Sequence, residues 1–504
     1  MAKLSNAQFK TDEKNSMDEK ARDNFDYISP LDTRYYGDDR RVYDALHRYL
    51  SEAATIKYQI LVEQAIVASL EQAAIAPPGI SRRLAAAASV VTPERVYEEE
   101  HRTHHNIRAL VNCLRENLPE SDRGYVHLFA TSADIQDTAR SLALRDLTRE
   151  KLLPEIRELI LVLIKAARKD AEVPQIGRTH GRFAEPITVG YWLANFVTRL
   201  NGRAEKVADS AKELRGMFSG AVGAHSALAL VWPNDPALIE IEVLERLGLK
   251  PGDGSASTQV IQPEYLTDYA HSLISIFGVL ANIADDFRHL MRSEVEEVGE
   301  DLDTYQVGSS TMPHKINPKN FENVKSLWKA FMPRMMTVYM DQISEHQRDL
   351  TNSASTRFFN ELVASTYYAT YRLRDAIKKT KTNQSAIAAN LQRSYEWIVA
   401  EPLYISFALA GHPNPYDKLR SFVLQARERG TDVLSCIEID EEAKALWAKL
   451  PENRKSVILD PSKYVGDAVV RTHSICDQVE QALSSPWFLK RLDRPAEGPA
   501  LLLE

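Results

Sequence analysis

The chain is poor in cysteine. Its 504 residues include three, Cys113, Cys436 and Cys476. They are too few and too scattered for a disulfide framework or a paired-cysteine metal site, which points to a reducing compartment. Long apolar runs are missing too: nothing approaches the ~20 consecutive apolar residues of a membrane-spanning helix. The first two dozen residues, Met1 to Asn24, are polar and charged, without the apolar stretch of a signal peptide. An excess of positive charge is also lacking. The net charge is −8, so no global field invites nucleic acid or an anionic membrane. HExxH spacing, strand-like alternation, a βαβ rhythm and short repeats are all absent from the sequence. These absences predict a cytoplasmic protein that binds neither nucleic acid nor membrane.

What is present suits a helical enzyme. Hydrophobic residues at 44% and charged residues at 26% are globular values, and the length exceeds what one core usually supports. Over Glu264–Arg292, apolar residues recur every three or four positions: Leu266, Tyr269, Leu273, Ile276, Leu280, Ile283, Phe287 and Leu290. Such a helix would run roughly 43 Å at 1.5 Å per residue, and one that long with a seam on one face belongs in a bundle. The stretches around Ile187–Met217 and Glu322–Gln347 are also helical in composition, with Pro333 interrupting the second. From Tyr35 to Leu118 the pattern is helical and alanine-rich. Pro77-Pro78-Gly79 breaks it, and Thr92-Pro93-Glu94 starts a fresh helix. Composition shifts near Lys378–Asn383, where a smaller helical unit begins, with Pro and Gly punctuation as at Pro461–Gly466. The expected fold is all-α: a flexible tail over 1–24, an N-terminal helical domain over 25–126, a central long-helix bundle over 127–381, and a C-terminal helical domain over 382–504 with a loose end from Arg494.

Five segments carry candidate chemistry. Gly308-Ser309-Ser310-Thr311-Met312-Pro313-His314-Lys315-Ile316-Asn317-Pro318 brings a glycine hinge, adjacent hydroxyls, a lysine and an amide together and stiffens them with prolines. Gly177-Arg178-Thr179-His180-Gly181 places an imidazole, the side chain best suited to proton transfer near neutral pH, where backbone can approach a ligand closely. A structural loop histidine would read the same way. Thr131-Ser132-Ala133-Asp134 is either a plain N-cap or an anion site at a helix start. Gln347–Arg357 sets Arg348 and Arg357 around several hydroxyls, a pattern suited to phosphate or carboxylate. In His101-Arg102-Thr103-His104-His105-Asn106, positions 101 and 105 would share a helix face. A third metal ligand is not evident and an arginine intervenes, so a solvated face or a substrate-binding His105 is the reading. The cations adjacent to these motifs are Arg34, Arg178, Lys315, Arg348 and Arg357.

The Gly308–Pro318 segment, followed by Glu322-Asn323, resembles the signature loop of the fumarase/aspartase superfamily, whose members eliminate fumarate from a succinyl group. That loop alone leaves open the argininosuccinate, fumarase, aspartase and carboxymuconate branches. Ser29-Pro30-Leu31-Asp32 leading to Arg34-Tyr35, Gln347–Thr351 with Ser353 and Arg357, and the C-terminal Ala400-Glu401-Pro402 and Pro415–Leu419 look like the longer bacterial type of the branch that acts on succinylated purine nucleotides. The resemblance covers nearly the whole chain after the tail. It implies an all-α, three-domain fumarase/aspartase-like fold, a homotetramer with sites shared between subunits, and a β-elimination that uses no cofactor and no metal. By the same resemblance Ser309 is the base and His180 the acid, oriented by Glu322. Ser310, Lys315, Asn317 and Asn323 bind substrate. Arg34, Tyr35, Arg348, Ser353, Ala354, Ser355, Thr356 and Arg357 hold the nucleotide end, Thr131, Ser132 and Gln259 the succinyl part, and His104, His105 and Asn106 adjoin them. The family pattern is His-Asp where this chain has His105-Asn106, an amide that lacks the charge favouring an imidazolium. A catalytically silent, crystallin-like scaffold is the reading of a different class.

Overall fold

The computed structural model describes residues 28–37, 39–301 and 308–485; the two terminal tails expected at 1–24 and from Arg494 lie outside them. Side-chain caps set the first helices. Asp39 accepts from the Arg41 amide at 3.0 Å to begin Arg40–Leu50, and Ser51 accepts from Ala54 at 3.1 Å to begin Glu52–Gln72. The break at Pro77–Gly79 is closed by Gly79 at φ +81, a left-handed position that glycine takes without strain. Thr92 caps the Pro93–Thr103 helix with proline at its first position, as the sequence predicts.

The histidine cluster departs from expectation. His104 adopts φ +55 and ends the Pro93–Thr103 helix, and His105 caps the next, Asn106–Glu116. His101 and His105 therefore sit on successive helices and share no face. Among the described residues no group of histidine, cysteine and carboxylate side chains is arranged to hold a metal.

The central body packs Leu153–Lys169, Val189–Lys212, Glu264–Leu290, Lys319–Phe331 and Phe359–Lys378 side by side. Along Glu264–Leu290 the predicted seam is the buried one: Tyr269, Leu273, Ile276, Leu280, Ile283 and Phe287 are buried, while Leu266 and Leu290 are partly so. Truncating one such residue, Ile276→Ala for example, costs about 2–5 kcal/mol through lost transfer energy and the cavity left behind. At Gly190 a Cβ would lie 2.5 Å from the Ala167 carbonyl oxygen and from the Ala171 Cα, so only glycine lets the Val189–Lys212 helix start this close to its neighbour. Pro333 separates Lys319–Phe331 from Arg334–Met340, the interruption read from sequence.

Two short antiparallel ribbons break the all-α pattern. β1 (Pro174–Thr179) pairs with β2 (Arg182–Thr188), with an irregularity between Ile176 and Arg178, and β3 (Val298–Glu300) pairs with β4 (Thr380–Thr382). The turn of the first is His180-Gly181, at φ +53 and +71, the doubly left-handed geometry of a tight hairpin. Histidine stands where asparagine or aspartate usually does, which hid the hairpin in the sequence.

A second apolar core, built from Val399, Leu403, Phe407, Leu419, Phe422, Ile437, Leu446 and Ile458 among others, lies under the helices that follow residue 382. The last described helix, Ala468–Leu483, returns to the central body, where Arg168 pairs with Asp477 at 2.6 Å and Glu480 at 2.7 Å. No helix among the described residues is long and apolar enough to cross a membrane.

Candidate active site

The expected site residues gather at the two ends of the Glu264–Leu290 helix. At its N-terminal end, Thr131 caps Ser132–Leu147, and the Asp134 carboxylate accepts from the Thr131 amide at 2.7 Å. The same carboxylate accepts from Ser219 at 2.9 Å and Gly220 at 3.2 Å, so one fully buried side chain ties the helix start to the 219–223 loop. Burial pushes Asp134 up to about 6, against the pull of the three backbone N–H donors. Gln259 extends the array: its amide donates to the Ala221 carbonyl at 3.0 Å and its oxygen accepts from Arg348 at 3.0 Å. Ser132 Oγ lies 3.4 Å from His105 Nε2. Thr131, Ser132, His105, Gln259 and Arg348 are thus brought together as a half-site of hydroxyls, an imidazole and a guanidinium beside a helix N-terminus, which suits a carboxylate or phosphate. Asn106 takes no part in orienting His105: its Oδ1 accepts from the next amide, Ile107, at 2.8 Å.

The C-terminal end of the long helix holds the other group. Near that end Phe321 stacks on Phe287 with ring centroids 4.9 Å apart, and Lys325 pairs with Asp285, which holds the first half of the Lys319–Phe331 helix there. Asn323 Nδ2 reaches the Tyr35 hydroxyl at 3.4 Å, while Asn323 Oδ1 is buried without a partner, an acceptor in want of a donor. The Tyr35 ring lies 5.0 Å from that of Tyr368. In the signature loop, Asn317 donates to the Gly308 carbonyl at 2.8 Å and closes the segment on itself. A Cβ on Gly308 would come within 2.5 Å of the Lys315 carbonyl oxygen, which explains the glycine. Ser309 Oγ accepts from the Met312 amide at 3.1 Å and the Thr311 amide at 3.4 Å. Ser310, Lys315 and Glu322 are exposed. His180 stands exposed at the tip of the β1–β2 turn, held to this end because Arg178 pairs with Glu297, just past the long helix. Arg178, a candidate substrate cation from sequence, is therefore committed to a structural carboxylate.

Some expected contacts are not made within one chain. Among the described residues no hydrogen bond or ion pair joins His180 to Glu322, or Lys315 to Ser309. Arg34, Ser353, Ala354 and Arg357 are exposed. Ser355 and Thr356 turn inward, donating to Asp341 at 2.7 Å and to the Asn352 carbonyl at 2.9 Å. The inward pair shapes the turn rather than presenting hydroxyls. His104 serves as the left-handed end of its helix. Sequence reasoning missed the reach of Asp134 to the 219–223 loop and the whole of Glu297. For Asp134 the Thr-x-x-Asp spacing was a readable signal; for Glu297 there was none.

Residues 24–330 match the Lyase family and residues 344–464 match the adenylosuccinate lyase C-terminal family. The chain is 33% identical to the adenylosuccinate lyase of Archaeoglobus fulgidus over 90% of its own length and 99% of that protein. It is 32% identical to that of Methanothermobacter thermautotrophicus, covering 88% and 96%, and 28% identical to that of Vibrio cholerae, covering 89% and 98%. Among solved structures it superposes with a TM-score of 0.74 on a fumarate lyase from Mesorhizobium, at 21% identity over 87% of this chain and 98% of that one. A 3-carboxy-cis,cis-muconate lactonizing enzyme from Pseudomonas putida gives the same score at 22% identity, covering 87% and 97%; at such identities the likeness speaks for the fold alone. The fold, the signature loop and the match along nearly the full chain agree: the chain belongs to the adenylosuccinate lyase family of the fumarase/aspartase superfamily.

Proposed function

We propose that this protein releases fumarate by β-elimination from adenylosuccinate, leaving AMP, and from the succinylated aminoimidazole carboxamide ribotide of purine biosynthesis. The observation that carries the chemistry is the seat of Ser309. Two backbone N–H groups point at its oxygen, the arrangement that stabilises a developing alkoxide in a closed loop. As base, Ser309 takes the proton from the carbon beside the succinyl carboxylate. The C–N bond breaks, its electron pair passes to the departing nitrogen, and His180 supplies that nitrogen with a proton. Lys315 and Asn317 hold the carboxylate on which negative charge builds. Thr131, Ser132 and Gln259 grip the succinyl group, and Arg34, Tyr35, Arg348, Ser353 and Arg357 take the nucleotide with its phosphate. No step calls for a metal or cofactor.

The two groups of residues stand at opposite ends of a helix of 27 residues, about 40 Å apart at 1.5 Å per residue, farther than a nucleotide can reach. That separation supports a site completed by neighbouring copies, with antiparallel long helices bringing one chain's Ser309 end to another's Thr131 end in a homotetramer. Exposed Met336, Met340 and Ile343 beside the long helix offer apolar surface for such packing.

The test is fumarate and AMP formation from adenylosuccinate by the purified protein without added metal, beside argininosuccinate, with and without chelator. Full activity in chelator on the purine substrate is expected. Turnover of argininosuccinate but not adenylosuccinate would overturn the substrate, and turnover of neither would favour the silent scaffold.

A further inference from the structure

Glu297 is wholly buried, yet it is a carboxylate. Its two oxygens receive four side-chain N–H donors. Arg178 gives a fork, Nη2 to Oε1 at 2.6 Å and Nη1 to Oε2 at 3.1 Å; Gln175 donates to Oε2 at 2.7 Å and Asn390 to Oε1 at 2.8 Å. A carboxylate has about four acceptor positions, so none remains for substrate. The donors come from different parts of the fold. Gln175 and Arg178 lie on β1, and Asn390 on the Gln384–Gln392 helix after residue 382. That helix packs on β1. Ile176 of β1 shares a small core with Leu391, Ile398, Tyr395 and Tyr464, and Tyr464 is itself held by Glu401 at 2.8 Å. The Asn383 amide also donates to the Glu297 carbonyl at 2.9 Å. Arg178 lies over the Phe183 ring of β2 at 5.4 Å, bridging both strands of the hairpin. His180 follows Arg178 by two residues, in the tight turn.

We propose that Glu297 is a positioning residue for the proton donor: through Arg178, Gln175 and Asn390 it clamps the His180 hairpin between the end of the long helix and the C-terminal unit, so that the C-terminal unit sets where the acid stands. This rests on His180 being the acid, as proposed above. It gives a role to the segments around Glu401 and Pro461–Gly466, which carry no chemistry of their own.

Arg178→Lys keeps the charge but loses the fork, and Asn390→Ala removes the C-terminal donor while leaving the ion pair. Both are tested in the full chain, with Glu297→Gln as the direct variant, by steady-state kinetics on adenylosuccinate and by amide hydrogen exchange. The expectation is a kcat lower by about 10- to 100-fold, the cost of a reacting group about 1 Å out of place, with KM within about threefold because the groups that grip substrate lie elsewhere. Exchange should rise over residues 177–183 and stay unchanged over 273–287. Unchanged kcat, with or without looser exchange, overturns the inference. So does a joint loss of kcat and affinity with faster exchange along the long helix, which would make Glu297 a general stabiliser. A wild type that releases no fumarate would sink the functional reading instead, and the exchange data would then decide the clamp alone.

Discussion

His105 caps the Asn106–Glu116 helix through its ring. The Arg108 backbone N–H donates to Nδ1 at 3.2 Å, and a ring nitrogen that accepts cannot also bear a hydrogen. Nε2 is left to face Ser132 Oγ, 3.4 Å away, and the half-site. The asparagine that replaces the family's aspartate faces its own helix instead. Asn106→Asp should therefore leave the pH profile of kcat/KM superimposable on the wild type. It should also raise stability by about 0.3–1 kcal/mol, because a carboxylate is favoured in the first turn of a helix. An alkaline limb displaced to higher pH would show that the new charge had reached His105 after all. The sharper test at this scale concerns the acid and base. Ser309→Ala and His180→Ala should fold and bind substrate but lose about 10²–10⁴-fold in kcat, the usual worth of a proton-transfer group. If Ser310→Ala is the damaging change and Ser309→Ala is silent, the base is the neighbouring hydroxyl.

At the scale of elements, the start of the Ser132–Leu147 helix and the 219–223 loop behave as one piece because Asp134 belongs to both. Its value is raised by burial from 3.8 to about 6. Between those values the native state holds a proton that the unfolded chain releases. Its contribution to stability is therefore full below the lower value and is lost as pH rises through about 6. Site order runs the other way, since the ionised carboxylate is the stronger acceptor for the three backbone amides. KM for adenylosuccinate should climb as pH falls through about 6. Asp134→Asn should remove that part of the pH dependence and raise KM at pH 7.5 by about fivefold, the worth of one hydrogen bond near 1 kcal/mol. Comparing the two proteins on one substrate cancels the titration of the substrate phosphate. Identical profiles would mean that the loop is held by other contacts. The β1–β2 hairpin makes a similar point: its strands are too irregular to register as alternation, and β1 packs against the Gln384–Gln392 helix, a contact no local pattern announces.

The whole molecule sets Ser309 and the Thr131 half-site about 40 Å apart by helix rise, toward the two ends of Glu264–Leu290. Complementation follows from that distance. Ser309→Ala and His105→Ala proteins, to the extent that each alone is impaired, should regain activity when unfolded together and refolded as mixed oligomers. If the two residues reach a site from different copies, random mixing gives about a quarter of sites both wild-type groups. Activity that stays at the level of the separate mutants, after subunit exchange has been verified by mass, would place both residues in one chain's site. The apolar residues exposed beside the long helix should lose accessibility to labels on assembly.

The sequence by itself determined the helical character, the long buried seam and the breaks at Pro77–Gly79 and Pro333. Each of these depends on local spacing or on backbone chemistry that any context preserves: a 3.6-residue period, a proline without an N–H, a glycine where Cβ would collide. The tertiary structure alone decided which segments meet. Nothing near Glu297 marks it as the seat of the His180 hairpin, because its partners stand some 120 residues before it and 90 after it in the chain. Asp134 shows its cap in the sequence but not its grip on Ser219 and Gly220. His105 reads as a substrate ligand, and its role as the cap that accepts from the Arg108 amide shows only in the fold. Spacing within a segment fixes which groups are available, whereas long-range packing fixes the donors each group faces, and it is the donors that set protonation and position.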